Sequence, residues 1–167
     1  NFIKVCKHYK VPAVILDAAV GNNATANATN QVSNVVVCCM RPTIQFVNGT
    51  VRFLKSLERG GSFDGRKKII AVPNVIPQEE VVVDDKMYPD YAISRITTQF
   101  KMLTANLPED ADITYNLEML DKHEFGIPAV KSFMWREGQL ETQDELNDNE
   151  KLALERYKKL AAIISNC

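Results

Sequence analysis

The sequence lacks the features that mark several classes of protein. It contains no apolar run near the ~18 residues that suggest a membrane span. It has no C-x-x-C pair to bind zinc, and its net charge of −1 offers little attraction to nucleic acid or anionic lipid. The opening NFIKVCKHYK does not have the charged-then-apolar form of a secretory signal. These absences predict a cytoplasmic protein without a nucleic-acid or membrane partner.

The composition fits one soluble domain. Of the 167 residues, 46% are apolar and 25% are charged, an ordinary balance for a globular chain. The first residue is not methionine, and a helical pattern is already under way, with Phe2, Val5, Cys6 and Tyr9 on one face. We therefore expect residues 1–167 to form a single α/β domain that is a fragment of a longer one.

The cysteines are interpreted as structural. Two of the four, Cys38 and Cys39, are adjacent in an apolar segment. Neighbouring side chains of a strand point to opposite faces, so a disulfide between these two is not expected. Buried, reduced thiols are the prediction.

Four apolar segments have the composition of strands: residues 11–16, 34–40, 67–72 and 127–135. None of them alternates between apolar and polar residues, and helical patterns separate them. Strands of that kind are typical of parallel sheets that are buried on both faces. The sequence therefore predicts an α/β fold with a mostly parallel sheet flanked by helices.

Helical spacing of apolar residues marks the elements between these strands. One such stretch follows Pro42 and Thr43, and a second follows Asp90, which is expected to cap its helix. Residues 113–120 predict a third helix, which Gly126 would stop. Residues 149–165 form an amphipathic pattern with a basic polar face. Packing of this last helix on the sheet is preferred over binding to a membrane surface.

Two acidic pairs and one strand-end aspartate are candidates for chemistry. Glu79-Glu80 and Asp84-Asp85 flank three valines and are interpreted as the rim of a solvated loop rather than a cation site. Asp17 directly follows the first predicted strand, and ligands of open α/β sheets bind at the carboxyl ends of strands. Its carboxylate can hold Mg²⁺ through a water, although an aspartate there can also be a turn-former. Gly21 would let the next loop approach a γ-phosphate.

A succession of motifs is similar to the MinD/ParA superfamily, the deviant Walker A P-loop ATPases of the SIMIBI class. ILDAAVG, which contains Asp17 and Gly21, resembles their Walker B and switch II segment. VVVCCMRPTIQFVNGTVRFL resembles their next strand, Pro-Thr segment and helix. KKIIAVPNVIP places Asn74 where the family has an adenine-contacting asparagine, and FGIPAVKSFMWREGQL resembles the strand and loop beside the base.

The resemblance implies a three-layer P-loop NTPase-like fold and a protein that binds ATP with Mg²⁺. It assigns catalytic roles to Asp17, which would hold Mg²⁺ through water, and to Gly21, the switch hinge. It assigns cofactor binding to Asn74 and to four residues beside the base: Met134, Trp135, Arg136 and Glu137. Such proteins are nucleotide-dependent positioning or assembly switches that form homodimers and act on a cargo or regulatory protein.

The chain departs from the family pattern in three places. Ala18, Ala19 and Val20 stand where switch II commonly has a proline, and Pro73 precedes Asn74 where an apolar residue is usual. No G-x-x-x-x-G-K-[ST] phosphate loop occurs in the 167 residues, so the P-loop part would lie upstream. In the family, the strand that feeds this loop lies between the Asp17-type strand and the next strand along the chain.

Two other functions are compatible with the same residues. The chain can be a non-catalytic α/β module that keeps the fold for protein interaction. It can also be a receiver-like domain that is phosphorylated on Asp17, although the further acids and the lysine that receivers use are not at the expected strand ends. The nucleotide switch is the preferred hypothesis.

Overall fold

The fold was derived from a computed structural model of the chain. The structure describes residues 2–18, 24–59, 67–77, 79–107, 109, 111, 113–131 and 146–166. In chain order its elements are α1 (Phe2–His8), α2 (Ala24–Val32), β1 (Val35–Met40), α3 (Ile44–Arg59), β2 (Lys67–Pro73), β3 (Val81–Val83), β4 (Lys86–Tyr88), α4 (Asp90–Ala105), β5 (Ile113–Asn116), a 3₁₀ turn (Glu118–Leu120) and α5 (Asp148–Ser165).

A three-stranded parallel sheet organises the chain in the order β1-β2-β5. Val36 of β1 pairs with Ile69 of β2, and Ile70 of β2 pairs with Asn116 of β5. Parallel neighbours need crossover connections, and α3 and α4 lie in the two connections that join these strands along the chain. The predicted α/β class with a parallel sheet is confirmed at this level.

Two apolar clusters cover opposite faces of the sheet. The first joins Ile69 and Ala71 to side chains from α3 and α4, among them Leu54 and Phe100. The second joins Ile70 and Val72 to residues that include Met119, Ile127, Ala153 and Leu160. Alternate residues of β2 therefore enter different clusters, which explains why its sequence is apolar without alternation.

Helix α5 begins where its capping residues place it. The side chain of Asn147 accepts hydrogen bonds from the N–H groups of Asn149 and Glu150, and the Glu150 carboxylate accepts one from the N–H of Asn147. This reciprocal capping box satisfies donors that a helix start leaves unpaired. Ala153 and Leu160 then pack against the sheet, as the core-packing interpretation predicted.

The first predicted strand is wrong. Residues 11–16 have no regular secondary structure, and Ile15 is 95% exposed. A strand exists only through hydrogen bonds to a neighbouring strand, and within the described chain no segment pairs with residues 11–16. The apolar composition of residues 11–16 was therefore not sufficient to make them a strand.

Residues 113–120 do not form the predicted helix. Residues 113–116 form β5, whose Ile-Thr-Tyr start is β-branched and aromatic and suits a strand, and a single 3₁₀ turn follows it. Gly126 consequently stops no helix. Residues 127–130 are not a strand either, although Pro128 forms an isolated bridge with Ile76, and residues 132–135 lie outside the described residues.

Three smaller expectations also need correction. Asp90 is the first residue of α4 rather than its cap, and its carboxylate forms an ion pair with Lys122. Cys38 is partly buried, but Cys39 is exposed. The segment of three valines between the acidic pairs is not a loop, because β3 and β4 form an antiparallel hairpin there. Helix α2 was not predicted at all.

Candidate functional site

The carboxyl ends of the three parallel strands define one edge of the sheet. Strand β1 ends at Met40 and leads through residues 41–43 into α3, while β2 ends at Pro73 and is followed by Asn74. Ligands of open α/β sheets bind at this kind of edge. Of the two predicted site residues that the structure describes, Asn74 and Asp17, a strand delivers Asn74 there.

Hydrogen bonds fix the backbone around Asn74. Its N–H donates to the carbonyl oxygen of Met40 at 2.7 Å, which ties it to the end of β1. Its side-chain Oδ1 accepts a hydrogen bond from the N–H of Val75 at 2.8 Å. The side-chain nitrogen has no bonding partner within the described residues. That nitrogen is a donor that can bind N1 of adenine, a ring nitrogen that accepts a hydrogen bond in adenine but carries a hydrogen in guanine.

Val75 holds an unfavourable backbone conformation beside Asn74. Its φ is 56°, in the left-handed region, where a β-branched side chain is uncommon. Bonds on both sides maintain this conformation, since Val75 N–H is bound by Asn74 and Ile76 N–H donates to the carbonyl oxygen of Ile127 at 3.0 Å. Local strain of this kind costs about 1–3 kcal/mol and is concentrated at ligand-binding and active sites.

A distant segment of the chain lies along this junction. The N–H of Ile127 donates to the carbonyl oxygen of Pro73 at 2.9 Å, and the N–H of Ala129 donates to the carbonyl oxygen of Ile76 at 2.8 Å. With the parallel bridge between Ile76 and Pro128, these bonds place residues 127–129 one strand spacing, about 4.8 Å, from residues 73–76. The end of β2 is therefore bordered by β1 on one side and by this segment on the other.

Gly126 permits that close approach. A Cβ at this position would collide with the side chain of Ile76 and would lie 2.5 Å from the carbonyl oxygen of Lys122. The turn before it is held by Asp121, whose carboxylate accepts a hydrogen bond from the N–H of His123 at 2.8 Å. A glycine is required here because the turn packs directly against the segment that follows β2.

The other predicted site residues are not brought to this edge by the described chain. Asp17 is exposed and follows a segment without regular structure, so no described strand carries it to the sheet. Gly21, Met134, Trp135, Arg136 and Glu137 lie outside the described residues. Their predicted roles stay predictions.

Two titratable side chains of β1 and β2, Cys38 and Lys67, have pKa values that burial shifts. Burial raises the pKa of Cys38 to about 12, and the neighbouring Cys39 adds to that rise. This thiol therefore stays protonated and a poor nucleophile near neutral pH. At the opposite end of β2, Lys67 is buried, its ammonium donates to the carbonyl oxygen of Asn30, and burial lowers its pKa to about 8.

The described residues lack two features that would point to particular functions. They contain no group of three or more His, Cys, Asp or Glu side chains arranged to hold a metal ion. No helix within them has both the length and the apolar character required to cross a bilayer.

Sequence reasoning missed three features of this site. The strain at Val75 and the packing role of Gly126 depend on backbone geometry that cannot be read from the amino-acid sequence. The pairing of residues 127–129 with the end of β2 joins positions about fifty residues apart. Its only signal was the placement of both segments beside the base in the family resemblance.

Comparisons with protein-family models, with curated proteins and with solved structures found no match to this chain. The resemblance to the MinD/ParA superfamily consequently rests on the sequence motifs alone.

Proposed function

We propose that the chain is the C-terminal part of a MinD/ParA-like ATPase, in which Asn74 contacts the adenine base of ATP. The observation that carries this proposal is the junction at the carboxyl end of β2. The family resemblance expects the asparagine and the FGIP segment to border one base, and hydrogen bonds join the two segments at Pro73 and Ile76. The parallel order β1-β2-β5 with α3 and α4 between the strands agrees with a P-loop NTPase-like sheet.

The exposed segment before Asp17 is compatible with this proposal. In the family, the strand that feeds the phosphate loop lies between the Asp17-type strand and the strand that corresponds to β1. Strand β1 pairs with β2 on one side, and among the described strands none occupies its other side. Residues 11–16 would become a strand once that neighbour is in place, and Asp17 would then stand at the carboxyl edge to bind Mg²⁺ through water.

The proposed role is a nucleotide-dependent switch. ATP with Mg²⁺ would bridge Asn74, Asp17 and an upstream phosphate loop, and the Gly21 loop would respond to the γ-phosphate. Loop contacts that depend on nucleotide bias the two states of an interface, here that of a homodimer. The 167-residue chain, which contains no phosphate loop, should neither hydrolyse ATP nor bind it tightly.

Binding of ATP and GTP to the full-length gene product tests the base-reading role. Asn74→Ala should weaken Mg²⁺–ATP binding about 10-fold, because one hydrogen bond in a binding site is worth about 1 kcal/mol or slightly more. The same change should leave GTP binding unaltered and so reduce the discrimination between the nucleotides. Asn34→Ala, at the amino end of β1, is the matched control. Equal loss of ATP and GTP affinity would contradict base reading.

A non-catalytic interaction module is the second candidate. It is favoured by the exposed position of Asp17, which no described strand carries to the sheet. In that case Mg²⁺–ATP should change neither the melting temperature nor the sedimentation coefficient of the full-length gene product. A shift in either quantity on addition of Mg²⁺–ATP would reject the module.

A further inference from the structure

The hairpin of β3 and β4 has an open edge made of three valines. Asp84 and Asp85 both have positive φ, 50° and 57°, so they form a type I′ turn that closes on the pair Val83–Lys86. A two-residue turn closes on a hydrogen-bonded pair, and such pairs alternate with non-bonded ones along an antiparallel ladder. The N–H and C=O of Val82 therefore point away from β4, toward the open side.

The hairpin is anchored at its base while this edge stays exposed. Tyr88 packs against the first apolar cluster, and Lys122 pairs with both Glu80 and Asp90. Val82, by contrast, is 64% exposed, and Met87, directly opposite it, is 49% exposed. Isolated two-stranded ribbons are marginally stable in water, so these contacts explain how the hairpin stays folded. They do not explain why its exposed side chains are apolar.

Natural edge strands normally carry protection against pairing with other chains. The usual devices are a very short strand, a lysine or proline within the strand, a bulge, or a cover. Strand β3 is short, with 3 residues, but all of them are valine, and within the described chain no third strand pairs with it. An exposed apolar edge without a lysine or proline is a surface to which an extended segment of another chain can add as a strand.

The charges around β3 decide what kind of strand it can accept. Glu79 and Glu80 precede the valines, and Asp84 and Asp85 follow them. If two copies of this chain paired antiparallel about Val82, Glu80 of each would stand opposite Asp84 of the other. Like charges that are directly opposite destabilise a pair of strands, whereas opposite charges stabilise it. A second copy is therefore disfavoured and a basic segment is favoured.

We propose that the outer edge of β3 binds an extended segment of a partner protein in which apolar residues alternate with lysine or arginine. The partner's backbone pairs with the N–H and C=O of Val82. Its apolar side chains cover the valines, and its basic residues meet the acidic pairs at both ends of the strand. This binding does not depend on whether Asn74 contacts adenine.

The probe is a fluorescein-labelled, end-capped peptide, Lys-Val-Lys-Val-Lys-Val-Lys, whose binding to the 167-residue chain is followed by fluorescence anisotropy. Saturable binding is expected, and the charge-reversed peptide with glutamate in place of lysine should not bind. A peptide in which every backbone N–H is methylated keeps the charge but has no donor on either edge, and it should bind at least about 10-fold more weakly. This comparison leaves the protein unaltered.

Variants of the chain test the same edge from the protein side. Val82→Pro removes the outward N–H but none of the bonds to β4, and it should weaken binding about 10-fold or more. Val14→Pro, in the exposed segment 11–16, should have no effect. The double variant Asp84→Asn, Asp85→Asn keeps residues that favour the turn but removes two negative charges. It should bind the peptide more weakly and with a smaller dependence on salt. The control Glu109→Gln, Asp148→Asn removes two charges elsewhere and should change neither quantity.

Three results would overturn the proposal. The first is that neither the lysine peptide nor the glutamate peptide binds. The second is that the N-methylated peptide binds as tightly as the unmethylated one and that Val82→Pro binds as tightly as the wild type, because that pattern is charge attraction without strand pairing. A chain that sediments as a dimer in the wild type and as a monomer in Val82→Pro would show that a second copy occupies the edge.

Discussion

Residues 11–16 and strand β2 are two apolar runs of similar length, but only β2 forms a strand in the fold. Both predicted strands by the same reasoning from composition. In β2, Ile69 and Ile70 are fully buried and paired on both sides, whereas Ile15 is 95% exposed in a segment without regular structure. The difference lies in the neighbours, since β2 lies between β1 and β5 and under helices on both faces.

The comparison shows what an apolar run does and does not specify. It specifies that side chains gain from burial, but a strand also needs a partner for each backbone N–H and C=O. Strand β2 obtains those partners from β1, from β5 and, at its carboxyl end, from Ile127. In residues 11–16 the N–H of Val11 donates to the carbonyl oxygen of Cys6, but no strand of the described chain pairs with the segment. On our proposal they await a strand that the 167 residues do not include.

The largest expected contrast is between isoleucines of the two runs. Ile70→Ala should lower the free energy of unfolding by about 2–5 kcal/mol, because it opens a cavity in the second apolar cluster. Ile15→Ala should change it by less than about 0.5 kcal/mol, because its side chain is already in water. Urea unfolding of both variants measures the contrast. Similar losses from the two substitutions would mean that residues 11–16 are packed after all.

A second contrast separates the crowded end of β2 from an open position. Gly126→Ala should destabilise the fold by about 1–3 kcal/mol, because the added Cβ collides with Ile76 and with the Lys122 carbonyl. Gly49→Ala is the control, since nothing lies within 4 Å of a Cβ there and the position is inside α3. That control should be stabilising by about 0.4–1 kcal/mol. Thermal unfolding reads both changes, and a neutral Gly126→Ala would remove the argument for close approach.

The smallest contrast concerns the charge at the start of β2. Burial lowers the pKa of Lys67 from 10.5 to about 8, so between those values the unfolded chain holds a proton that the folded chain has released. The contribution of Lys67 to stability should therefore rise as the pH rises from about 8 to 10.5. The stability of the wild type minus that of Lys67→Met should increase across this range in urea titrations.

Lys68→Met is the control for that titration, because it removes one lysine from the neighbouring, half-buried position. The increase for Lys67→Met should exceed any increase for this control. A difference that stays flat or falls with pH would mean that Lys67 keeps its proton in the folded chain.

Local patterns predicted the elements that local patterns determine. Uninterrupted apolar residues located β1 and β2, helical spacing located α3 and α4, and the pattern of residues 149–165 agrees with α5 to within a residue of its start. Residues 113–120 were assigned to a helix because Ile113, Leu117 and Leu120 share helical spacing. The β-branched and aromatic residues at 113–115, which join the sheet beside β2, decided otherwise.

The candidate site was less predictable because it is built from long-range contacts. Asn74 was predicted from the resemblance of KKIIAVPNVIP to the family segment that ends near an adenine-contacting asparagine. The strain at Val75, the pairing with residues 127–129 and the tight packing at Gly126 arise only when distant segments meet. The hairpin was missed because its turn signal, Asp84-Asp85, was interpreted as part of a loop rim. Positive φ at both aspartates closes the turn, and the three valines before it are exposed.

Hydrogen exchange of the 167-residue chain, resolved to single amides by NMR, tests most directly the claim that neighbours decide which apolar run becomes a strand. We predict that the amides of β2 exchange slowly, near the limit set by global unfolding, and that those of residues 11–16 exchange almost as fast as in an unfolded peptide. Comparable protection of the two runs would contradict the account, because residues 11–16 would then already be paired within this chain.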